Sequence, residues 1–250
     1  RPGGYGLTDL WVLKRASVAD DWDRPENLGP LINGPSFDHA AFISADGLEL
    51  YFHSNRPGGY GNCDLYVTRR ATRSNPWGPA TNLGPKVNRP SDDALPSLSP
   101  DGLELYFMSN PPGGYGDWDL YVSQRATADD PWGDPVNLGP AVNSPARDSE
   151  ASFSPDGLLM FFESGRPGAS GDLDLYVTRR ASRSAPWEPV VNLGPTINGP
   201  IGEYRPSLAP DGSALYFVRV SDNDITYWMA RIIPSRAPGG EQVKGEKNRK

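Results

Sequence analysis

"SPDGLELYFMSNPPGGYGDWDLYV" runs from Ser99 to Val122. Its Asp101-Gly102 pair supplies the positive φ that a tight hairpin needs, and the apolar run after it reads as a strand. A glycine-rich phrase then turns the chain, and Asp119 opens a second strand in which Leu120 and Val122 face one side and Tyr121 the other. The phrase is not unique. Its terminal aspartate recurs as Asp9, Asp64, Asp119 and Asp174, always 55 residues apart. The same step separates Asp46, Asp101, Asp156 and Asp211 of the "ADG" or "PDG" turn, and Asn27, Asn82, Asn137 and Asn192, which open "NLGP". One tryptophan, Trp22, Trp77, Trp132 or Trp187, follows each run in this register. A fixed period over the whole chain identifies a repeat architecture.

Each period reads as four strands. Strand a ends in the Ser-Pro-Asp-Gly turn, and strand b is the nearly continuous apolar run Leu103–Ser109, which implies burial on both faces. Strand c is Asp119–Arg125, and strand d lies around Val136–Gly139. Sparse helix formers, with 28 Gly and 27 Pro among 250 residues, fit many short strands joined by turns. A four-stranded sheet of this size cannot bury both of its faces alone, so neighbouring sheets must stack around an axis as blades of a β-propeller. A solenoid of sheets is the alternative, but solenoids repeat in about 20 to 30 residues.

"SPDGLELYFMSN", "GGYGDWDLYV" and "NLGPAVNS" resemble the WD-like β-propeller repeat family, whose Ser-Pro-Asp-Gly blades are of the TolB-propeller type. The resemblance covers residues 1–233. It implies a scaffold, periplasmic, secreted or at the bacterial cell surface, that binds a protein or an envelope glycan. It implies no reaction, because the shared residues are structural.

The fold class expected is therefore all-β: a propeller of four-stranded antiparallel blades, about 55 residues each, five in number with the first incomplete. The partial blade is 1–34, the others about 35–89, 90–144, 145–199 and 200–233, and 234–250 is expected as a disordered polar tail. In sequence the final unit lacks strand d, and the first lacks a and b. Both point to a parent chain longer at its N-terminus, with a closed four-bladed ring ranked lower.

The net charge of -7 argues against nucleic acid as partner. A lone cysteine, Cys63, allows no intrachain disulfide, and no apolar run approaches the ~20 residues of a membrane-spanning helix. A monomer is expected. No nucleophile–base pair, metal-ligand spacing or phosphate loop stands out, so catalysis is not expected, and neither is a cofactor. Calcium is the weaker alternative, through the aspartate pairs Asp117 with Asp119 and Asp172 with Asp174.

The functional candidates are instead the residues at the start of strand a, the innermost strand of a propeller. Every unit opens it with an acid, Asp38, Asp93, Asp148 or Glu203, which would ring one mouth of the axial channel. Two positions on, Ala40, Leu95, Glu150 and Arg205 diverge, as do the neighbours His39, Arg147 and Tyr204. His39, Glu150, Tyr204 and Arg205 are where selectivity would reside. The second reading is a hydrolase or lyase acting on polysaccharide, with Asp38, Glu150 and Glu203 as carboxylates and Tyr204 with Arg205 on a sugar acid. His53, in strand b, is read as packing.

Overall fold

The computed structural model describes residues 2–17, 19–221, 224–234 and 241–246. Among them are 18 strands and no helix. A short ribbon, β1 (Trp11–Val12) with β2 (Glu26–Asn27), precedes four four-stranded antiparallel sheets. Blade one contains β3 (Asp38–Ile43), β4 (Glu49–Ser54), β5 (Asp64–Arg69) and β6 (Thr81–Asn82). Blade two contains β7 (Asp93–Leu98), β8 (Glu104–Ser109), β9 (Asp119–Gln124) and β10 (Val136–Asn137). Blade three contains β11 (Asp148–Phe153), β12 (Leu159–Ser164), β13 (Asp174–Arg179) and β14 (Val191–Asn192). Blade four contains β15 (Gly202–Leu208), β16 (Ala214–Ser221), β17 (Asp224–Pro234) and β18 (Glu241–Glu246).

The first strands of successive blades touch one another, β3 on β7, β7 on β11 and β11 on β15, while β6, β10 and β14 touch only their own sheets. The first strands therefore converge as the inner edges of a propeller arrangement. Four complete blades are present. No contact joins β1 or β2 to blade four among the described residues, so the ribbon does not complete that sheet as a closed four-bladed ring requires. The missing fourth strand of that blade comes instead from 241–246, read from sequence as part of a polar tail, which pairs along β17 from Met229 to Pro234. The rest of 235–250 lies outside the described residues.

Packing follows the repeat. Tyr51 packs with Leu98, Leu105 and Phe107 of the next blade, Tyr106 with Met160 and Phe162, and Phe161 with Leu215 and Phe217. Each blade-to-blade seam is thus a separate apolar cluster. Two seams also carry a buried ion pair: Arg125 donates to Glu49 at 2.7 Å and Arg180 to Glu104 at 2.7 Å. Those guanidiniums lie 4.3 and 4.4 Å from the ring centroids of Trp132 and Trp187, as Arg70 lies over Trp77. The repeated tryptophan is the shelf on which the cross-blade arginine rests.

The glycine-rich phrase is explained by what it touches. The aspartate that closes it accepts two backbone N–H groups from within the phrase; Asp64 takes those of Tyr60 and Gly61, at 2.7 and 2.9 Å. It also accepts from Asn82, whose own oxygen accepts from Asn88, and Asn88 clamps both backbone groups of Leu65. Identical chains link Asp9, Asn27 and Asn33, then Asp119, Asn137 and Asn143, then Asp174, Asn192 and Asn198. The last glycine has no room for a side chain. A Cβ on Gly61 would stand 2.0 Å from the carbonyl oxygen of Ser91, and one on Gly116 2.3 Å from that of Ala146.

Candidate functional site

The four acids that open the inner strands are buried and hydrogen-bonded to the loops that enter their blades. Asp38, Asp93, Asp148 and Glu203 are at most 1% exposed. Asp38 accepts from the Gly34 N–H and pairs with Arg56. Asp148 accepts from Ser144 and Arg166, and Glu203 from Gly199 and Arg219. Each fixes the loop that enters its blade. Blade two differs because Pro111 stands where blades one and three have Arg56 and Arg166. Arg89 covers Tyr121 there instead, and one Asp93 oxygen is left buried without a hydrogen-bond partner. Burial pushes Asp93 up to about 6.

The expectation that Ala40, Leu95, Glu150 and Arg205 share the acids' side of an extended strand does not hold, for a local reason. Every inner strand has a bulge at this point: His39 opposes His53, but the next pair is Phe42 with Tyr51, leaving one residue extra. The other three inner strands shift at the same place. The extra residue turns left-handed, with φ of 49° at Ala40, 54° at Leu95, 51° at Glu150 and 56° at Arg205. Four non-glycine residues thus hold a conformation that L-residues disfavour by about 1 to 2 kcal/mol. Such strain persists only where surrounding contacts fix it.

At two of the four positions a fixing contact comes from strand b of the preceding blade. The His53 ring nitrogen Nδ1 accepts the N–H of Leu95 at 3.3 Å, and Glu163 Oε2 accepts the N–H of Arg205 at 2.9 Å. Met108 holds the corresponding position between them. Glu163 was missed by sequence reasoning, although a carboxylate inside the apolar run "LLMFFES" was a visible signal. It is 1% exposed and also accepts from Ser149 at 2.8 Å and Arg147 at 3.2 Å.

These bulges gather several charged side chains at the inner edge. The His39 and His53 rings meet edge to face with centroids 5.5 Å apart. Burial and the Arg205 charge lower His39; burial, His39 and Arg205 bring His53 down to about 4. Burial and the Glu163 charge lift Glu150 to about 8, against the opposing pull of Arg205 and Arg147. Glu163 is raised by the same burial. Arg205, on blade four, therefore acts electrostatically on blade one and blade three at once. Its guanidinium has no hydrogen-bond or ion-pair partner among the described residues, and the residue is exposed. Tyr204 points elsewhere, donating its hydroxyl to Asp172 at 2.8 Å.

The calcium alternative does not fit its donor set. Both carboxylate oxygens of Asp119 and of Asp174 already accept N–H groups, and those hydrogens face where a cation would sit. Asp117 is exposed, and Asp172 holds Tyr204. No group of three or more metal-ligating side chains is arranged around a common point among the described residues.

No family model matches the chain, and no curated protein matches it by sequence. Solved structures do. A putative TolB from Agrobacterium tumefaciens superposes with a TM-score of 0.60 at 19% identity, covering 93% of this chain and 73% of that one. TolB from Acinetobacter baumannii gives 0.56 at 17%, covering 88% of this chain and 46% of that one, so the chain spans about half its length. The fold is a TolB-like β-propeller. An alpha-L-arabinofuranosidase from Lactobacillus brevis, at 13% identity and a TM-score of 0.56, matches 90% of this chain and 83% of its own. At such identities the likeness is one of fold alone. Within this TolB-like propeller, the residues gathered at the inner edge are His39, His53, Arg147, Glu150, Glu163 and Arg205. No helix among the described residues is long and apolar enough to cross a membrane.

Proposed function

We propose that this protein is a non-catalytic propeller that binds a protein or glycan of the bacterial cell envelope at its axial mouth. The observation that carries the reading is the division of labour along the inner strands. Residues repeated in every blade are buried in loop and seam contacts, whereas the residue that differs from blade to blade occupies the strained bulge. Ala40 in blade one supports the backbone of that bulge without any functional group. The test is the double variant Glu150→Ala, Arg205→Ala. It should abolish capture of envelope material while leaving thermal stability within a few degrees of the parent; unchanged capture rejects the mouth as the site.

The five-blade arrangement belongs to the same proposal. Tyr51, Tyr106 and Phe161 are 0, 1 and 2% exposed beneath the following blade, but Tyr216 at the same position of blade four is 50% exposed. A further blade of the same kind would bury it together with Ile225 and Tyr227. An envelope setting, periplasmic, secreted or at the surface, is what the TolB likeness supports, and a monomer is part of the same proposal.

One observation favours hydrolysis as a second reading: Glu150, raised to about 8, has the protonation of a general acid at neutral pH. Its partner carboxylate, Glu163, is fully buried and engaged by three donors, and so is badly placed to attack a sugar or activate water. Release of reducing sugar from envelope polysaccharide, lost in Glu150→Gln, would favour the enzyme.

A further inference from the structure

Arg205 is the exposed inner-edge cation without a partner among the described residues; Arg89 also has unpaired guanidinium nitrogens, but these are buried where it lies over Tyr121. Arg147 is committed to Ser149 and Glu163, and Arg56, Arg166 and Arg219 to the acids that open the inner strands. The Arg205 backbone is held twice, by the antiparallel pairing of β15 around its bulge and by Glu163 at 2.9 Å, so the side chain leaves from a fixed point. His39, Glu150 and Glu163 all lie within reach of its charge, but none of them forms an ion pair with it.

A second feature lies at the same end of the blades. Asp38 pairs with Ser54 and Ser54 with Asp64, so the start of the inner strand and the glycine-rich loop share one end. Three successive loops each present an exposed tyrosine there, Tyr5 at 52%, Tyr60 at 47% and Tyr115 at 51%. The fourth loop has Ser170 at that position, and Tyr204 rises beside it from the inner strand. Exposed aromatic faces repeated at a constant step suit a flat, repeating ligand with apolar ring faces and polar edges.

We propose that Arg205 seats the carboxylate of a sugar acid at the axial mouth, with the flanking glycan lying over the tyrosines of the glycine-rich loops. The proposal rests on the mouth as the binding site. A single free guanidinium matches one carboxylate in bidentate fashion. A phosphate would want additional cations or a helix N-terminus, and the described residues form no helix. Glu150, held mostly neutral at pH 7, donates a hydrogen bond rather than repelling the ligand.

The experiment is calorimetric titration with trigalacturonate, with its methyl-esterified form, and with a short peptide bearing a free C-terminal carboxylate. The free acid should bind. Esterification or Arg205→Ala should weaken it about tenfold or more, with Arg205→Lys intermediate, the loss expected for a charged hydrogen-bonded pair. Tyr60→Ala and Tyr115→Ala should each weaken it several-fold. Because Ala40 already occupies the equivalent bulge, Arg205→Ala is expected to fold, and its melting temperature checks this. Equal binding of acid and ester, both lost in the Glu150→Ala, Arg205→Ala protein, overturns the carboxylate inference and spares the mouth. Binding of the free acid unaffected by Arg205→Ala, binding of the peptide alone, or no binding of the uronate overturns the inference outright.

Discussion

Removing Arg180 isolates the contribution of a blade seam. Its guanidinium is 3% exposed, donates to Glu104 at 2.7 and 3.2 Å, to the Gly157 carbonyl at 2.9 Å and to that of Arg183 at 2.9 Å, and covers Trp187. Arg180→Ala leaves Glu104, only 8% exposed, with neutral partners, the Tyr106 hydroxyl and the Gln124 amide. Stripping one member from a buried pair costs about 3 to 5 kcal/mol. Spread over a chain of this size, that corresponds to a fall in melting temperature of roughly 6 to 20 °C. Arg70 is the internal control. It makes the same Nε bond to the Gly47 carbonyl and the same stack on Trp77, with no carboxylate of a preceding blade among its described partners. Arg70→Ala should therefore cost only about 1 to 2 kcal/mol. Urea unfolding followed by tryptophan fluorescence compares the two, and a Glu104→Gln, Arg180→Ala cycle should show coupling above 1 kcal/mol. Equal losses at Arg70 and Arg180, or no coupling, would refute the cross-blade pair as the element that holds the seam.

The Glu150 carboxyl titrates near 8 in the folded protein and near 4.5 when unfolded, so the folded state binds more protons between those values. Its contribution to stability is full below about pH 4.5 and is lost as pH rises toward 8, on the order of a few kcal/mol. His53, lowered to about 4, acts in the opposite direction, so the quantity to measure is the difference in unfolding free energy between parent and Glu150→Gln. That difference should shift in favour of Gln from pH 5 to pH 8; a constant difference contradicts the raised carboxyl. At the bulge, Ala40→Gly should leave stability unchanged or raise it by up to about 1 kcal/mol, because relief of the left-handed strain offsets the entropy of glycine. A loss above 1 kcal/mol in denaturant melts would contradict the strain. In blade two, Arg89→Gly with Pro111→Arg reproduces the Gly34 and Arg56 pattern of blade one, and should raise the melting temperature at pH 7 by a few degrees as Asp93 gains an ion pair. No gain would mean that Arg89 already neutralises Asp93.

The register was legible because turns punctuate it. Asp-Gly, the close-packed glycine before each Asp64-type residue, and "NLGP" all carry chemistry that tolerates few residues, so they recur at a visible step. The inner edge was read less well, and the bulge is the reason. A left-handed bulge residue is usually glycine, but Ala40, Leu95, Glu150 and Arg205 carry no such sign, so the strand was read as regular. The anchor of the Arg205 bulge, Glu163, was hidden because its role depends on the neighbouring blade rather than on its own strand. The strand at 241–246 was equally hidden. "EQVKGE" has neither alternation nor strand propensity, and it is ordered by the open edge of β17 beside it.

The most direct test of the mouth is to place a photo-crosslinking side chain at Ala40, the bulge position of blade one, and a second at Val136, 63% exposed on the outer strand of blade two. The ligand should be captured at position 40 and not at 136, and capture should disappear when Arg205→Ala is added. Capture at 136 alone, or at 40 regardless of Arg205, would contradict the account.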